Sequence, residues 1–223
     1  MSTENERVHL SPARIQRLYN FLTPVYDLLT RYEMEPQKKA LEIADVKEGF
    51  RVLEVGFGTG KILIELSKKV GITGIILGLD VSLGMVKKAS RRTKAYDSYK
   101  RAELVLGDGR DVPLIDSVFD LVFSSYVFDL IDTPSIPKIL SELKRLLRSG
   151  GRLVLVSLSK GSKWYDNMRL YEWVYRRWPM LLGGCRPVTL KPYLQGLGFK
   201  KITSEFVHAG HLMPTEIVLA EKS

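Results

Sequence analysis

The stretch Arg51-Val52-Leu53-Glu54-Val55-Gly56-Phe57-Gly58-Thr59-Gly60 is an apolar strand that runs into three alternating glycines and then into a helical pattern. Glycines suit such a place because the chain must turn sharply and because a ligand must come close to the backbone, which side chains would obstruct. The spacing is G-x-G-x-G. A dinucleotide fingerprint, G-x-G-x-x-G, needs glycine at position 61, where this chain has Lys61. Glu54 inside the strand fits badly beside a pyrophosphate and well beside an ammonium group. Two further acids stand where a nucleoside would want them. Asp80 closes the next strand, 20 residues after Gly60, where a carboxylate accepts hydrogen bonds from ribose hydroxyls. Asp108, in Gly107-Asp108-Gly109-Arg110, is placed to accept from an adenine amino group.

These residues need a scaffold that brings strand ends together, and the hydrophobic rhythm supplies one. Short apolar runs at 50–55, 74–80, 102–106, 118–124 and 152–158 read as strands, and 59–70, 82–95 and 136–147 read as the helices between them. Continuous runs such as IIL and LVLV suit strands covered on both faces. The succession is βαβ, so the expected fold is α/β with a doubly wound sheet, whose ligands bind at the carboxyl ends of the strands. Ahead of it, Ser11-Pro12 opens a helix that stops at Pro24, a second helical piece covers 25–32, and Pro36 opens a third. After it come a short helix at 190–197 and two runs, 199–208 and 212–220, separated too briefly for anything but an antiparallel hairpin.

The length, 223 residues, suits one domain, with a net charge of +9, 45% hydrophobic and 26% charged residues. Disorder, collagen and coiled coil are excluded as its main character. A single cysteine, Cys185, permits neither an internal disulfide nor a zinc cluster, so a reducing, cytoplasmic setting is expected. The N-terminus has no apolar core of signal-peptide length, and no later stretch approaches the apolar length of a membrane span. The expected organisation is a helical cap over 1–48, a cofactor-binding core over 49–158, an aromatic and basic substrate cap over 159–198, and a closing hairpin over 199–223.

VLEVGFGTG, LGLDVS, LVLGDGRDVP, FDLVFSSYVF and LLRSGGRLVLVS, in this order and at these intervals, resemble the class I S-adenosylmethionine-dependent methyltransferases over roughly residues 36–158. The resemblance implies a Rossmann-like, seven-stranded, mostly parallel sheet of order 3-2-1-4-5-7-6 with its last strand antiparallel, and S-adenosyl-L-methionine as cofactor. By the same resemblance Glu54 and Gly56, Gly58, Thr59 and Gly60 hold the methionine end, Asp80 the ribose, and Asp108 with Gly109 the adenine edge. Met85 packs on the adenine face, and Ser124 or Ser125 lines the pocket near the methyl. The segment Tyr19 to Asp27, ending in a Tyr-Asp pair, looks like the cap of the methyltransferases of ubiquinone and menaquinone precursors and of phosphatidylethanolamine, which makes Tyr26 a lid contact. Their usual glycine-rich ending is replaced here by His208-Ala209-Gly210-His211.

The acceptor must be read outside the cofactor half. Trp164, Trp173 and Trp178 lie with three tyrosines and five basic residues in 160–178, a composition suited to an anionic lipid surface, to stacking on nucleic-acid bases, or to covering the sheet. The basic run from Lys87 to Arg101 reads as a solvated face. Ser124-Ser125-Tyr126-Val127 lacks the Asn/Asp-Pro-Pro-aromatic pattern of amino-methylating nucleic-acid enzymes, and Cys185 stands far from the place of a cytosine C5 nucleophile. The expected activity is therefore methylation of a small or lipid-like acceptor, a quinone precursor or a phospholipid amine. The alternatives are an RNA methyltransferase and a non-catalytic cofactor-binding partner subunit. His208, His211 and Asp129 are the candidate proton acceptors.

Overall fold

The computed structural model describes residues 11–96, 102–159, 173–175, 177–178, 183–209 and 213–223. Seven strands, β1 (Arg51–Val55), β2 (Ile75–Asp80), β3 (Ala102–Leu106), β4 (Phe119–Ser125), β5 (Leu147–Leu158), β6 (Lys200–Ala209) and β7 (Met213–Glu221), form one sheet. Their order is β3-β2-β1-β4-β5-β7-β6, as the resemblance implies. β1 to β5 pair in parallel, and β7 runs antiparallel to both of its neighbours. The helices are α1 (Pro12–Leu22), α2 (Tyr26–Leu29), α3 (Met34–Ile43), α4 (Lys61–Val70), α5 (Leu83–Ala95), α6 (Ile136–Leu146) and α7 (Lys191–Gly196), with a 3-10 turn at Arg31–Glu33.

Alternation along each strand divides the core between the two faces of the sheet. Leu53, Val55, Leu153 and Leu155 pack with Ile139, Leu140 and Leu143 of α6. Val52, Val154 and Val156 pack with Ala40 of α3 and Leu63 and Leu66 of α4. α6 buries Ile136, Ile139, Leu140, Leu143 and Leu146, the spacing of one helical stripe. Each such side chain stabilises the fold by about 1.5–3 kcal/mol when fully buried.

Boundaries differ from the sequence reading where distant segments intervene. α6 stops at Leu146, and β5 begins at Leu147 rather than at Arg152. Leu147 pairs with Phe119, while the Gly150 amide donates to the Lys222 carbonyl and the Lys222 amide to the Gly151 carbonyl, both at 2.9 Å. The C-terminal residues thus draw 147–151 into β5. α3 begins at Met34, two residues ahead of Pro36, which occupies its first turn.

The helical cap is fastened by polar contacts. Asn20 Oδ1 accepts from the Ser82 hydroxyl at 2.7 Å and from the Gly84 amide at 2.8 Å, and Gln16 donates to the Val81 carbonyl at 2.8 Å. Asp27 in α2 accepts from Thr59 Oγ1 at 2.6 Å and from Arg92 at 2.5 Å, and lies 3.2 Å from both Lys61 and Lys88. Burial alone would raise the Asp27 pKa, but the hydrogen bonds from Arg92, Thr59, Lys88 and Lys61 outweigh it and hold the carboxyl well below the usual range. Lys88 and Arg92, read from sequence as part of a solvated basic face, are in fact clasps for the cap.

Removing the Asp27 carboxylate leaves these cations facing one another. Asp27→Ala is expected to lower stability by about 1.5–3 kcal/mol in urea denaturation. Because the folded-state pKa is depressed, the stabilisation is present above the unfolded pKa and lost as pH falls. The gap between wild type and variant should hold steady from about pH 8 to 5 and shrink below about pH 4.

Candidate functional site

β1, β2 and β4 end on the same edge of the sheet, and a cavity of about 450 Å³ opens there. Its wall includes Gly56, Gly58, Asp80, Asp108, Gly109 and Tyr26, so six of the residues singled out from sequence come together there. Two glycines are required by geometry. Gly56 has φ +72°, and a Cβ there would lie 2.0 Å from Val127 Cγ2. Gly60 caps α4 in the left-handed conformation, and its Cβ would lie 2.9 Å from that of Ala89.

Asp80 is 8% exposed. One carboxylate oxygen accepts from the Gly58 amide and the other from the Ser82 amide, each at 2.8 Å. Burial raises its pKa to about 6 against the pull of those two amides. A carboxylate oxygen has more than one acceptor direction, so both remain able to receive a ligand hydroxyl. Glu54 is more deeply placed. Its Oε2 is buried without a hydrogen-bond partner among the described residues, and burial, followed by the nearby Asp80 charge, drives its pKa well upward. A buried carboxyl left without a partner is costly, and a cationic ligand group would relieve it. Glu54 also lines a smaller cavity of about 40 Å³ with Glu33, Gln37, Thr59, Lys61 and Ser125. An acid pocket for an ammonium, lined also by donor groups and adjoining a buried acceptor for hydroxyls, is the donor set that S-adenosylmethionine asks for.

Asp108 lies on the cavity wall but is clasped by its neighbour. Arg110 Nε reaches both carboxylate oxygens at 2.9 and 3.0 Å, and Arg110 Nη2 and the Arg110 amide add to the clasp. Burial works to raise its pKa, yet the Arg110 contacts bring it below the ordinary value. A ligand amino group would share Asp108 with Arg110.

Other sequence candidates lie elsewhere. Met85 is in the core at 1% exposure and is not on the cavity wall. Ser124 is buried and donates to the Val55 carbonyl at 3.0 Å, whereas Ser125 faces both cavities and accepts from Gln37 at 3.2 Å. Asp129 is fully buried away from the cavity, with both carboxylate oxygens 3.1 Å from the Leu158 amide, and burial raises its pKa. His208 pairs with Pro214 across the hairpin through its backbone; its side chain and all of His211 lie outside the described residues. So does most of 160–178, apart from a few residues including an edge-on Trp173–Trp178 pair with ring centroids 5.8 Å apart. Sequence reasoning did not find Glu33, Gln37 or Lys61, because no local pattern marks a residue that meets its partner across the fold.

The methyltransferase-domain family matches residues 52–151, which hold Glu54, the glycine loop, Asp80 and Asp108. A demethylmenaquinone methyltransferase of Bacillus licheniformis is 28% identical over 217 residues, 94% of this chain and 90% of that protein. Its counterpart in Staphylococcus carnosus is 33% identical over 159 residues, 70% of this chain and 62% of that protein. The crystal structure of a SAM-dependent methyltransferase from Aquifex aeolicus superposes with a TM-score of 0.64 at 26% identity, over 96% of this chain and 100% of that one.

The chain carries a methyltransferase domain of the class I S-adenosylmethionine-dependent type. Its cofactor is S-adenosyl-L-methionine. The [4+2]-cyclase SpnF superposes with a TM-score of 0.75 at 18% identity, over 96% of this chain and 97% of that one, and shows the shared fold alone. The methyltransferase depends on its glycine loop for backbone approach to the ligand. Gly56→Ala should lower the melting temperature and weaken S-adenosylhomocysteine binding at least tenfold by calorimetry. Gly196→Ala, whose Cβ would meet nothing within 4 Å, should change neither.

Proposed function

We propose that this methyltransferase acts on a lipid-like ring acceptor of the demethylmenaquinone kind. The observation that carries this reading is the cavity's outer wall, where Ala13, Ile15 and Tyr19 of the cap stand with Leu130 and Ile131 beyond β4. Apolar and aromatic groups there suit a hydrophobic ring better than a polyanion. The similarity to the Bacillus licheniformis demethylmenaquinone methyltransferase supports it, because that alignment covers 94% of the chain.

S-adenosylmethionine supplies the activated methyl as a sulfonium, so the protein's work is alignment and exclusion of water. In this reading Glu54 receives the ammonium end, Asp80 the ribose hydroxyls, and Asp108 with Gly109 the adenine edge. Ser125, not Ser124, faces the reacting end, and Met85 supports the site from within the core. Tyr26 closes the lid, its ring 3.7 Å from where a Cβ on Gly58 would stand. Burial raises the pKa of Tyr19 and Tyr26 far above the ordinary tyrosine value, so both remain protonated and neither takes a proton from the acceptor. His208 and His211 are the proposed proton acceptors. Trp173 and Trp178, 59% and 48% exposed, with Arg177 against the Trp178 ring, support approach to an anionic lipid surface where such an acceptor resides.

The deciding experiment offers methyl-labelled cofactor together with a reduced demethylated menaquinone, phosphatidylethanolamine vesicles, or RNA in separate reactions. Label should enter the quinone. Label entering only the phospholipid or only the RNA overturns the reading. Asp80→Ala should weaken S-adenosylhomocysteine binding about 10- to 150-fold, the equivalent of roughly 1.5–3 kcal/mol for a hydrogen bond to a charged group. The ionised Asp80 is the better acceptor and its pKa lies near 6. Affinity should therefore fall as pH drops from 7.5 through 6, and the fall should flatten in Asp80→Asn.

A further inference from the structure

Glu33 is 7% exposed on the 3-10 turn Arg31–Glu33, an unusual depth for an acid, and nothing in the roles above employs it. Its side chain shares the cavity of about 40 Å³ with Glu54, enough room for a small polar group. Burial pushes the Glu33 carboxyl up to about 8, with the Lys61 charge and a hydrogen bond from the Tyr32 hydroxyl pulling the other way. The other titratable groups whose fields reach it are Tyr19 from α1, Tyr26 from α2, Tyr126 and Asp129 beyond β4, and Cys185. Lys61 is the cation in this set, and it lies 3.2 Å from Asp27, which draws its charge outward.

Glu33 and Glu54, both buried, thus line one small cavity, and among the described residues the Glu54 Oε2 has no hydrogen-bond partner. Lys61, on the same wall, is paired with Asp27, and among the described residues no cation offsets the burial of Glu54. Among the described residues no group of three or more His, Cys, Asp and Glu side chains could hold a metal ion. An alkylammonium, with three N–H donors, suits two acids set around one space.

Resting on the placement of the ligand's ammonium at Glu54, we infer that Glu33 is a second cofactor-binding acid, which brackets that ammonium from the opposite side of the small cavity. The turn ahead of α3 then reads the amino-acid end of the ligand, while Gln37 and Lys61 offer donors to its carboxylate. Ligand binding ionises carboxyls that burial keeps protonated, so recognition of the amino-acid end strengthens as pH rises toward 8.

The test compares S-adenosylhomocysteine with 5′-methylthioadenosine, which keeps the nucleoside and lacks the amino-acid end, by calorimetry at pH 6.5 and 8. The ratio of their affinities cancels the Asp80 contribution. In the wild type this ratio should rise with pH. In Glu33→Gln, which keeps the side-chain shape, it should fall at least tenfold and rise less steeply with pH. An unchanged ratio in Glu33→Gln beside a reduced one in Glu54→Gln overturns the role of Glu33 alone. Unchanged ratios in both variants overturn the placement of the amino-acid end as well. Equal loss for both ligands in Glu33→Gln means a structural role and also overturns the inference.

Discussion

The structure turns on keeping carboxyl groups out of water at the ends of parallel strands. Glu54 and Asp80 sit on neighbouring strands, β1 and β2; burial raises the cost of ionising both, and the Asp80 charge adds to it at Glu54. Two backbone amides steady Asp80, and among the described residues Glu54 keeps one oxygen unpartnered. Such a pair is tolerated in a folded chain when the surrounding core over-determines its position, and here the two apolar layers on either face of the sheet do so. The unfavourable burial is what makes the edge a site. Groups already stripped of water gain most from a ligand that carries the missing donors and charge.

The cap makes that dryness possible. α1 and α2 carry exposed apolar residues, Phe21 at 80% and Leu28 at 72%, so they are not held down by a deep core of their own. Their attachment is polar and specific. Asn20 grips the loop after β2, and Asp27 gathers cations from α4 and α5. Part of the chain's positive excess is thereby spent on closing the site, around an acid that lies well below the usual pKa range. The same chain thus holds carboxyls shifted in opposite directions within one region, Asp27 down by its cations and Glu33, Glu54 and Asp80 up by burial.

Local pattern carried far in this chain. Alternation and helical spacing predicted the sheet, its crossovers and the final hairpin, and the glycine spacing with its following acids pointed to a nucleoside ligand bearing an ammonium. The errors share one cause. Ser124 and Ser125 are adjacent and alike in type, and which of them faces the cavity depends on the pairing of β4 with β1 and β5. Met85 at the start of α5 was equally able to face ligand or core, and α5 turns it inward. Asp129 looked available after β4, yet the amide of Leu158 claims its carboxylate from a strand 29 residues away.

What the sequence by itself determined is therefore the class of chemistry and the order of the elements, because both are written in short-range features: strand and helix periods, a glycine turn, acids at strand ends. What only the tertiary structure decided is which side chains share a space. Glu33 and Glu54 are separated by 21 positions and by a helix, and no spacing rule joins them; both line one cavity because α3 packs on the same sheet face toward which the alternation of β1 turns Glu54. Periodicity assigns a residue to a face, but the partner it meets there is set by packing between segments whose separation along the chain carries no fixed period.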